Sequence, residues 1–305
     1  STIEREIRLN FEVLYQLESL YVNSDEVTES EFSRAAQMAI ERHVGIQALE
    51  WVPRITDKQR EQFEASRKAS MPDFNITERN INGDMIRAKV RPEYFPVALV
   101  QPIKGNEAAI GFDLASNENR RETLLQSANS GDVLATAGIN LVQLEGDDKG
   151  FLVFMPVYKN EKKQRNKLQG FVLGVYQSTE LLRQALTKNV KQRGEFRLFD
   201  ITDSEPQLFT QHSVPDTEYS DLKVKFPLEN IAGRRWLLEA TAASSYIRGQ
   251  QSFVPLISFG LGTAFLLMLL NYVNHMMRES QTIENQVKER TKELNDNRLF
   301  IKKLT

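Results

Sequence analysis

Between Gly249 and Met277 the chain carries no Asp, Glu, Lys or Arg, and the middle of that stretch reads Phe253-Val-Pro-Leu-Ile-Ser-Phe-Gly-Leu-Gly-Thr-Ala-Phe-Leu-Leu-Met-Leu-Leu270. About 20 apolar residues cross the hydrocarbon core of a bilayer as a helix, so residues 249–275 are expected to span a membrane. The competing structure, a buried core helix, rarely runs so long without a charge. Gly260 and Gly262, with Ser258 and Ala264 four residues from them, either let two such helices approach closely or simply face lipid.

The span divides the chain unevenly. On its short side Val287, Leu294 and Ile301 recur at sevens, with Ile283 and Leu304 on the other seam position beside Arg290 and Asn297. That is a coiled-coil pattern, and polar seam residues suit a helix that must move. Arg278, Lys288, Arg290, Lys292 and Arg298 lie on this side, but interleaved acids weaken the positive-inside signal. On the long side, Ile3, Ile7, Phe11, Leu14, Leu17 and Tyr21 share one face of a helix over the first 22 residues, the expected dimer contact. The start at Ser1 without Met points to a removed upstream segment, either a signal peptide or a first membrane anchor.

Between helix and span the pattern is α+β. Helices are expected at Glu29–His43, from a Thr56/Gln59 capping box to Ala69, from a Ser116 cap to Asn129 with Gly131 as its stop, and at Ser178–Leu186. Strands are expected at Ile46–Val52, Val97–Ile103, Ala108–Phe112, Leu134–Thr136, Ile139–Leu144, Phe151–Tyr158 and Phe171–Tyr176. A second, smaller antiparallel set follows at Glu195–Phe199, Gln207–Thr210, Leu222–Phe226 and Trp236–Ala240. Strands in runs, with helices segregated from them, argue against a doubly wound parallel sheet. Two small sheet domains on a long N-terminal helix is the expected architecture.

Composition narrows the chemistry. With 39 basic against 41 acidic residues there is no electrostatic case for nucleic acid. Cysteine is absent, which removes disulfides, thiolate metal sites and thiol nucleophiles. None of the three histidines, His43, His212 and His275, has a second ligand at i+3 or i+4. There is no Gly-x-Ser-x-Gly elbow and no Walker loop, and Asp147-Asp148 after Gly146 reads as a turn. No cofactor is implied.

From Arg91 onward the motifs become specific. Arg91-Pro-Glu-Tyr-Phe-Pro96, Gly111-Phe-Asp-Leu-Ala-Ser116, Ala135-Thr-Ala137, Gly150-Phe-Leu-Val-Phe-Met-Pro-Val-Tyr158 and Gly170-Phe-Val-Leu-Gly-Val-Tyr176, with Leu49-Glu-Trp-Val-Pro-Arg54 upstream, resemble the CHASE domain over roughly residues 30–190. CHASE domains are extracytoplasmic sensors of histidine kinases, adenylate cyclases and diguanylate cyclases, plant cytokinin receptors among them. The resemblance implies a long N-terminal helix carrying two PAS-like antiparallel-sheet domains. The expected organisation is a dimerisation helix (1–28), a membrane-distal PAS-like ligand-binding domain (29–190), a membrane-proximal PAS-like domain (191–248), the span (249–275) and a cytoplasmic signalling coiled coil (276–305). The motifs follow the common bacterial pattern, so residues 1–248 are expected in the periplasm of an inner-membrane homodimer.

The resemblance also implies the site. Asp113 matches the family acid that accepts hydrogen bonds from the ligand; capping the following helix is its other reading. Ala135 falls where the family uses a main-chain group, and Thr136 offers a hydroxyl. Tyr94, Leu99, Phe112, Phe154 and Met155 are candidate apolar walls and equally candidate core. The implied partner is a small-molecule ligand, an adenine-type cytokinin being compatible but not required. Val287-Lys-Glu-Arg-Thr-Lys-Glu-Leu294 looks like the linker that often follows the last membrane helix of sensor kinases and cyclases; a histidine kinase is the preferred output, a diguanylate cyclase the next. A surface enzyme and a ligand-free dimerisation or adhesion module are the competing functional classes.

Overall fold

The computed structural model describes residues 2–43, 45–140, 149–159, 167–186, 188–215, 217–250 and 253–304, in two compact units, 1–247 and 248–305. The first unit opens with α1 (Thr2–Val22) and α2 (Glu29–Ile40), then β1 (Ile46–Pro53), β2 (Ile55–Thr56) and α3 (Asp57–Lys68). Short strands follow: β3 (Thr77–Arg79), β4 (Met85–Arg87), β5 (Glu93–Tyr94) and β6 (Leu99–Gln101). Two 3-10 turns, Glu107–Ala109 and Leu114–Ser116, lead into α4 (Glu118–Ser130), β7 (Leu134–Ala135), β8 (Ile139–Asn140), β9 (Lys149–Tyr158) and β10 (Leu168–Gln177). Helices α5 (Ser178–Ala185) and α6 (Lys188–Lys191) precede β11 (Gly194–Asp200), β12 (Gln207–His212), β13 (Tyr219–Ile231), β14 (Arg234–Ala243) and α7 (Ser244–Gln250).

The first sheet is antiparallel in the order β6-β1-β10-β9-β7, with β8 also on β9, and the second runs β12-β11-β14-β13. Two-stranded pieces pair β2 with β5 and β3 with β4. This is the expected α+β arrangement. β9 and β10 are buried over nearly their whole length, as strands covered on both faces must be, and they read as continuous apolar runs for that reason. One face takes the stripe of α1: Phe11 meets Tyr176 edge-on at 5.1 Å, and Ile7, Leu14 and Leu17 are almost fully buried. Tyr176 donates its hydroxyl to the Asn10 carbonyl at 3.0 Å, and Tyr21 stacks on Trp51 at 3.8 Å. The second sheet closes on the same face, where Phe151 stacks on Phe209 and meets Trp236 edge-on at 5.1 Å. The two sheets therefore share one continuous core.

Several expectations change on contact with the structure. The apolar face of α1 expected to hold a dimer is consumed inside the chain, because the α1-facing side of β9 and β10 would otherwise be bare. Its exposed side carries Leu9 and Tyr15. Residues 108–112 form no strand: Gly111 has φ +79°, and a Cβ there would strike the Asn75 carbonyl, so the chain turns where extension was expected. Ser116 is used in the 3-10 turn and donates to the Asp113 carbonyl at 2.6 Å. Asn117 caps α4 instead, accepting from the Arg120 amide, and Gly131 ends it at φ +75°. The Gln59 side chain accepts from the Thr56 amide at 3.0 Å, as its spacing indicated, and α2 stops at Ile40, short of His43. The β3–β4 hairpin was not anticipated. Residues 141–144 of the expected strand at Ile139–Leu144, and the Asp147-Asp148 turn, lie outside the described residues.

In the second unit, α8 (Val254–Leu304) runs 51 residues without a break. Pro255 lies in its first turn, where no intrahelical donor is needed. The apolar span has a mean hydropathy of 2.2 over its best window and is entirely uncovered, long and apolar enough to cross a bilayer. Thr263 and Thr282 return their hydroxyls to the carbonyls of Phe259 and Arg278, so neither leaves a free donor.

Because both sheets rest on Phe151, Phe151→Ala should cost about 3–5 kcal/mol. Denaturant unfolding of the full chain, followed by Trp fluorescence and far-UV circular dichroism, should show both sheets losing stability in one transition. Separate transitions, with only the first sheet affected, would contradict a shared core.

Candidate functional site

The second face of the first sheet lies under α4, and its parity decides what it shows. Along β1, Ala48 and Val52 point into this side with the buried Leu124 and Ala128 of α4, while Leu49 belongs to the α1 side. Glu50 shares the parity of Ala48 and Val52. It pairs laterally with Val100 and Leu173, Leu173 pairs with Phe154, and Phe154 pairs with Leu134. A carboxylate thus sits within a row of apolar side chains, only 4% exposed, with no hydrogen bond or ion pair among the described residues. Burial pushes its carboxyl up to about 8, against the pull of the Arg120 charge. Arg120 lies over the Phe112 ring at 5.3 Å. Burial lowers its pKa, the Glu50 charge raises it, and the neighbouring Arg79 charge lowers it further.

Asp113 is fully buried beside this face and internally satisfied. One oxygen accepts from the amides of Phe95 at 2.8 Å and Ala115 at 3.2 Å, which caps the 3-10 turn; the other accepts from Arg91 at 2.9 Å. Burial raises its pKa, while the Phe95 amide and Arg91 lower it. Arg91 also pairs with Glu78. The lattice continues through Tyr94, whose hydroxyl donates to Asp57 at 2.9 Å and accepts from the Arg91 amide and from Arg60. Arg60 reaches the carbonyls of Ala88 and Ile76 and pairs with Glu64, which Arg87 also holds at 2.8 Å.

The expected site residues are therefore dispersed. Phe112 and Phe154 lie on the α4 face. Tyr94 belongs to a small cluster with Ile55, Phe74 and Ile76 and serves the ionic lattice. Leu99, Ala135 and Met155 belong to the core on the opposite side of the sheet; Phe154 and Met155, as neighbours in one strand, cannot share a face. The Thr136 hydroxyl accepts from the Leu152 amide at 3.1 Å, and the Ala135 amide donates to the Ala232 carbonyl at 2.8 Å. Glu50 was missed, although an acid at the parity of Ala48 and Val52 in an apolar strand is a readable signal. Among the described residues no group of three or more His, Cys, Asp or Glu side chains is placed to hold a metal.

Two outcomes follow from this geometry. Asp113→Ala strands Arg91 and removes the cap, and should cost about 3–5 kcal/mol; an unchanged unfolding midpoint would show that the carboxylate is not structural. Glu50 has a raised folded pKa, so its contribution to stability is complete below the unfolded carboxyl value and is lost as pH rises through about 8. The ligand-free chain should lose on the order of 3 kcal/mol between pH 5 and pH 9, and thermal melts of Glu50→Gln should be nearly flat across that range. A parent and variant with parallel pH profiles would contradict the buried, unpaired carboxyl.

The fold resembles solved extracellular sensor regions at low identity. The ligand-binding domain of the amino-acid chemoreceptor PctC of Pseudomonas aeruginosa, in complex with GABA, is 12% identical, covering 79% of this chain and 92% of that one, with a TM-score of 0.43. An extracellular ligand binding receptor from Desulfohalobium retbaense is 9% identical over 79% of this chain and 38% of its own, with a TM-score of 0.46. The ligand-binding domain of the chemoreceptor PctB of Pseudomonas aeruginosa, in complex with L-Arg, is 9% identical over 83% and 93%, with a TM-score of 0.42. No curated protein sequence matches the chain. The CHASE domain family model, by contrast, matches residues 25–209, which takes in α2, every strand of the first sheet, α4 and the start of the second sheet. This chain belongs to the CHASE-domain family of extracellular ligand-binding sensors, which are input modules rather than catalysts.

Proposed function

We propose that the chain is the input region of a bacterial inner-membrane receptor that binds a small molecule on the α4 side of the first sheet and relays that event along α8. In this reading residues 29–190 bind ligand, residues 191–248 form the membrane-proximal element, and residues 1–248 lie in the periplasm. A second copy of the chain pairs along the cytoplasmic part of α8, where Val287 and Leu294 are exposed at heptad spacing. The output is a histidine kinase, with a diguanylate cyclase as the next choice, lying outside residues 1–305.

The observation that carries this reading is the hydrogen bond from the Ala135 amide to the Ala232 carbonyl. β7 follows α4 and borders its face, while Ala232 is in the two-residue turn between β13 and β14. Ile231 pairs with Arg234 across that turn, and Ala232 and Gly233 have φ of +47° and +80°, the pattern of a tight hairpin matched to strand twist. Alanine is strained there, and its carbonyl bond to Ala135 helps hold it. A Cβ on Gly233 would lie 2.5 Å from the Leu134 side chain. Arg8 on α1 donates to the Glu229 carbonyl at 2.9 Å beside it. A change in β7 is thus passed to the hairpin, and the chain continues from β14 through α7 to α8. Only a ligand that binds two packings with different affinity can drive such a shift.

The test uses the full chain in nanodiscs with spin labels at the off-seam position Asn285, titrated with L-amino acids, adenine derivatives and organic acids. At least one ligand should alter the distance distribution between the two labelled helices. Gly233→Val should keep that ligand's affinity within about threefold yet lose the distance change. A response that survives Gly233→Val would overturn the relay through the hairpin, and a panel without any binder would overturn ligand sensing by small molecules of these classes.

A further inference from the structure

We infer that the α4 face of the first sheet is a receptor site for a compact zwitterion, an amino acid in chemical class, with its ammonium seated on Glu50 and its carboxylate between Arg120 and Arg79. The inference rests on the sensor reading above and specifies its ligand.

Charge accounting across this side of the sheet carries it. Asp113 and Glu78 are held by Arg91, and Glu64 by Arg60 and Arg87. Arg67 bonds the Ala98 carbonyl and pairs with Glu29. Glu50, Arg120 and Arg79 are left, none with an ion pair among the described residues. A carboxyl without a partner inside an apolar row is costly, whether it stays ionised or is forced to hold its proton, and Val, Leu or Ile would fill the same place in the strand without that penalty. Arg120 interacts with Glu50 electrostatically but does not close to ion-pair distance, and its guanidinium lies over Phe112. The acid and the base are held apart on one face.

A ligand that fits must satisfy both ends. An amine alone would compensate Glu50 and add positive charge beside two guanidiniums that already repel each other. An organic acid alone would relieve the guanidiniums and leave the Glu50 carboxyl protonated and without a partner. A molecule bearing an ammonium and a carboxylate on one short frame answers both, and the planar guanidinium suits carboxylate oxygens. Val100 and Leu173 flank the carboxylate in the sheet, and the Phe112 ring under Arg120 gives the ligand's side chain an apolar wall, in keeping with mostly apolar sites that hold a few polar groups. Seating an ammonium on Glu50 also has a proton signature. The carboxyl is largely protonated at neutral pH in the empty site because burial raises its pKa, so the arriving cation ionises it and a proton leaves to buffer.

The experiment is titration calorimetry of the full chain in nanodiscs at pH 7, in two buffers of different ionisation enthalpy. The probes are the L-amino acids and β-alanine, their deaminated acids, their decarboxylated amines, and adenine. The tightest binder should be a zwitterion, with each single-charge analogue weaker by roughly 30-fold. Glu50→Gln should weaken the zwitterion by a similar factor, leave the deaminated acid unchanged and abolish proton release. Arg120→Gln should do the reverse, weakening the acid and sparing the amine. Glu50→Gln is close in shape to the protonated parent, and its melting curve reports whether it is folded. A tightest ligand that is adenine or an organic acid, with affinity indifferent to Glu50→Gln, would overturn the zwitterion site and leave the sensor reading standing. No binding by any probe would overturn both.

Discussion

Everything in the first unit depends on covering two central strands on both sides. β9 and β10 alternate large apolar residues towards each face, so neither face can be left to water. The α1 stripe, α5 and the second sheet occupy one side; α4 and the turns around residues 95–115 occupy the other. Burying a Leu, Ile or Phe is worth about 1.5–3 kcal/mol, and α1 alone supplies several. The consequence for function is mechanical. Since α1, the first sheet and the second sheet interdigitate around Phe151, the halves cannot swing as independent bodies.

The segment from α3 to α4 is held by a different principle. Its apolar cluster is small, with Ile55, Phe74, Ile76, Ala88 and Tyr94 at its centre, and its strands are two or three residues long. Order comes from guanidiniums. Arg60, Arg87 and Arg91 each answer a buried or half-buried carboxylate, and Arg60 also donates to the carbonyls of Ala88 and Ile76. Such pairs rarely add much net stability over an apolar replacement, but losing one partner is costly, so the lattice sets one geometry for the turn that carries Asp113. That turn supplies Phe112 to the α4 face. The pairs therefore position one wall of the face and consume the acids around it, which is why Glu50 stands out as unanswered.

The sequence made the long-range plan legible wherever periodicity was strong. The α1 stripe, the continuous apolar runs of β9 and β10, the alternation in β11 and the uncharged helix could each be read from spacing alone. The Thr56 and Gln59 pair and Gly131 marked helix ends because capping chemistry is local. What was misread depended on contacts distant in sequence. Nothing in Ala108–Phe112 announces that Gly111 must turn against Asn75, and nothing in the polar β3–β4 hairpin shows that Arg87 will reach Glu64. The partner of the α1 stripe was likewise unreadable: periodicity says that a face is buried, not whether a sheet or a second copy buries it. For the site, motif matching gathered residues of both parities, so Phe154 and Met155 were grouped although adjacent strand positions diverge.

Parity also separates two jobs that the motifs had merged. Ala135 bonds the hairpin of the second sheet through its amide, while one residue away Leu134 pairs with Phe154 in the row that contains Glu50. A two-residue strand thus joins that row by pairing at Leu134 and bonds the second-sheet hairpin at Ala135, and the Leu134 side chain also lies close against Gly233 of that hairpin. In that hairpin Ala232 holds φ +47°, and the bond from the Ala135 amide to its carbonyl is a contact that offsets the strain.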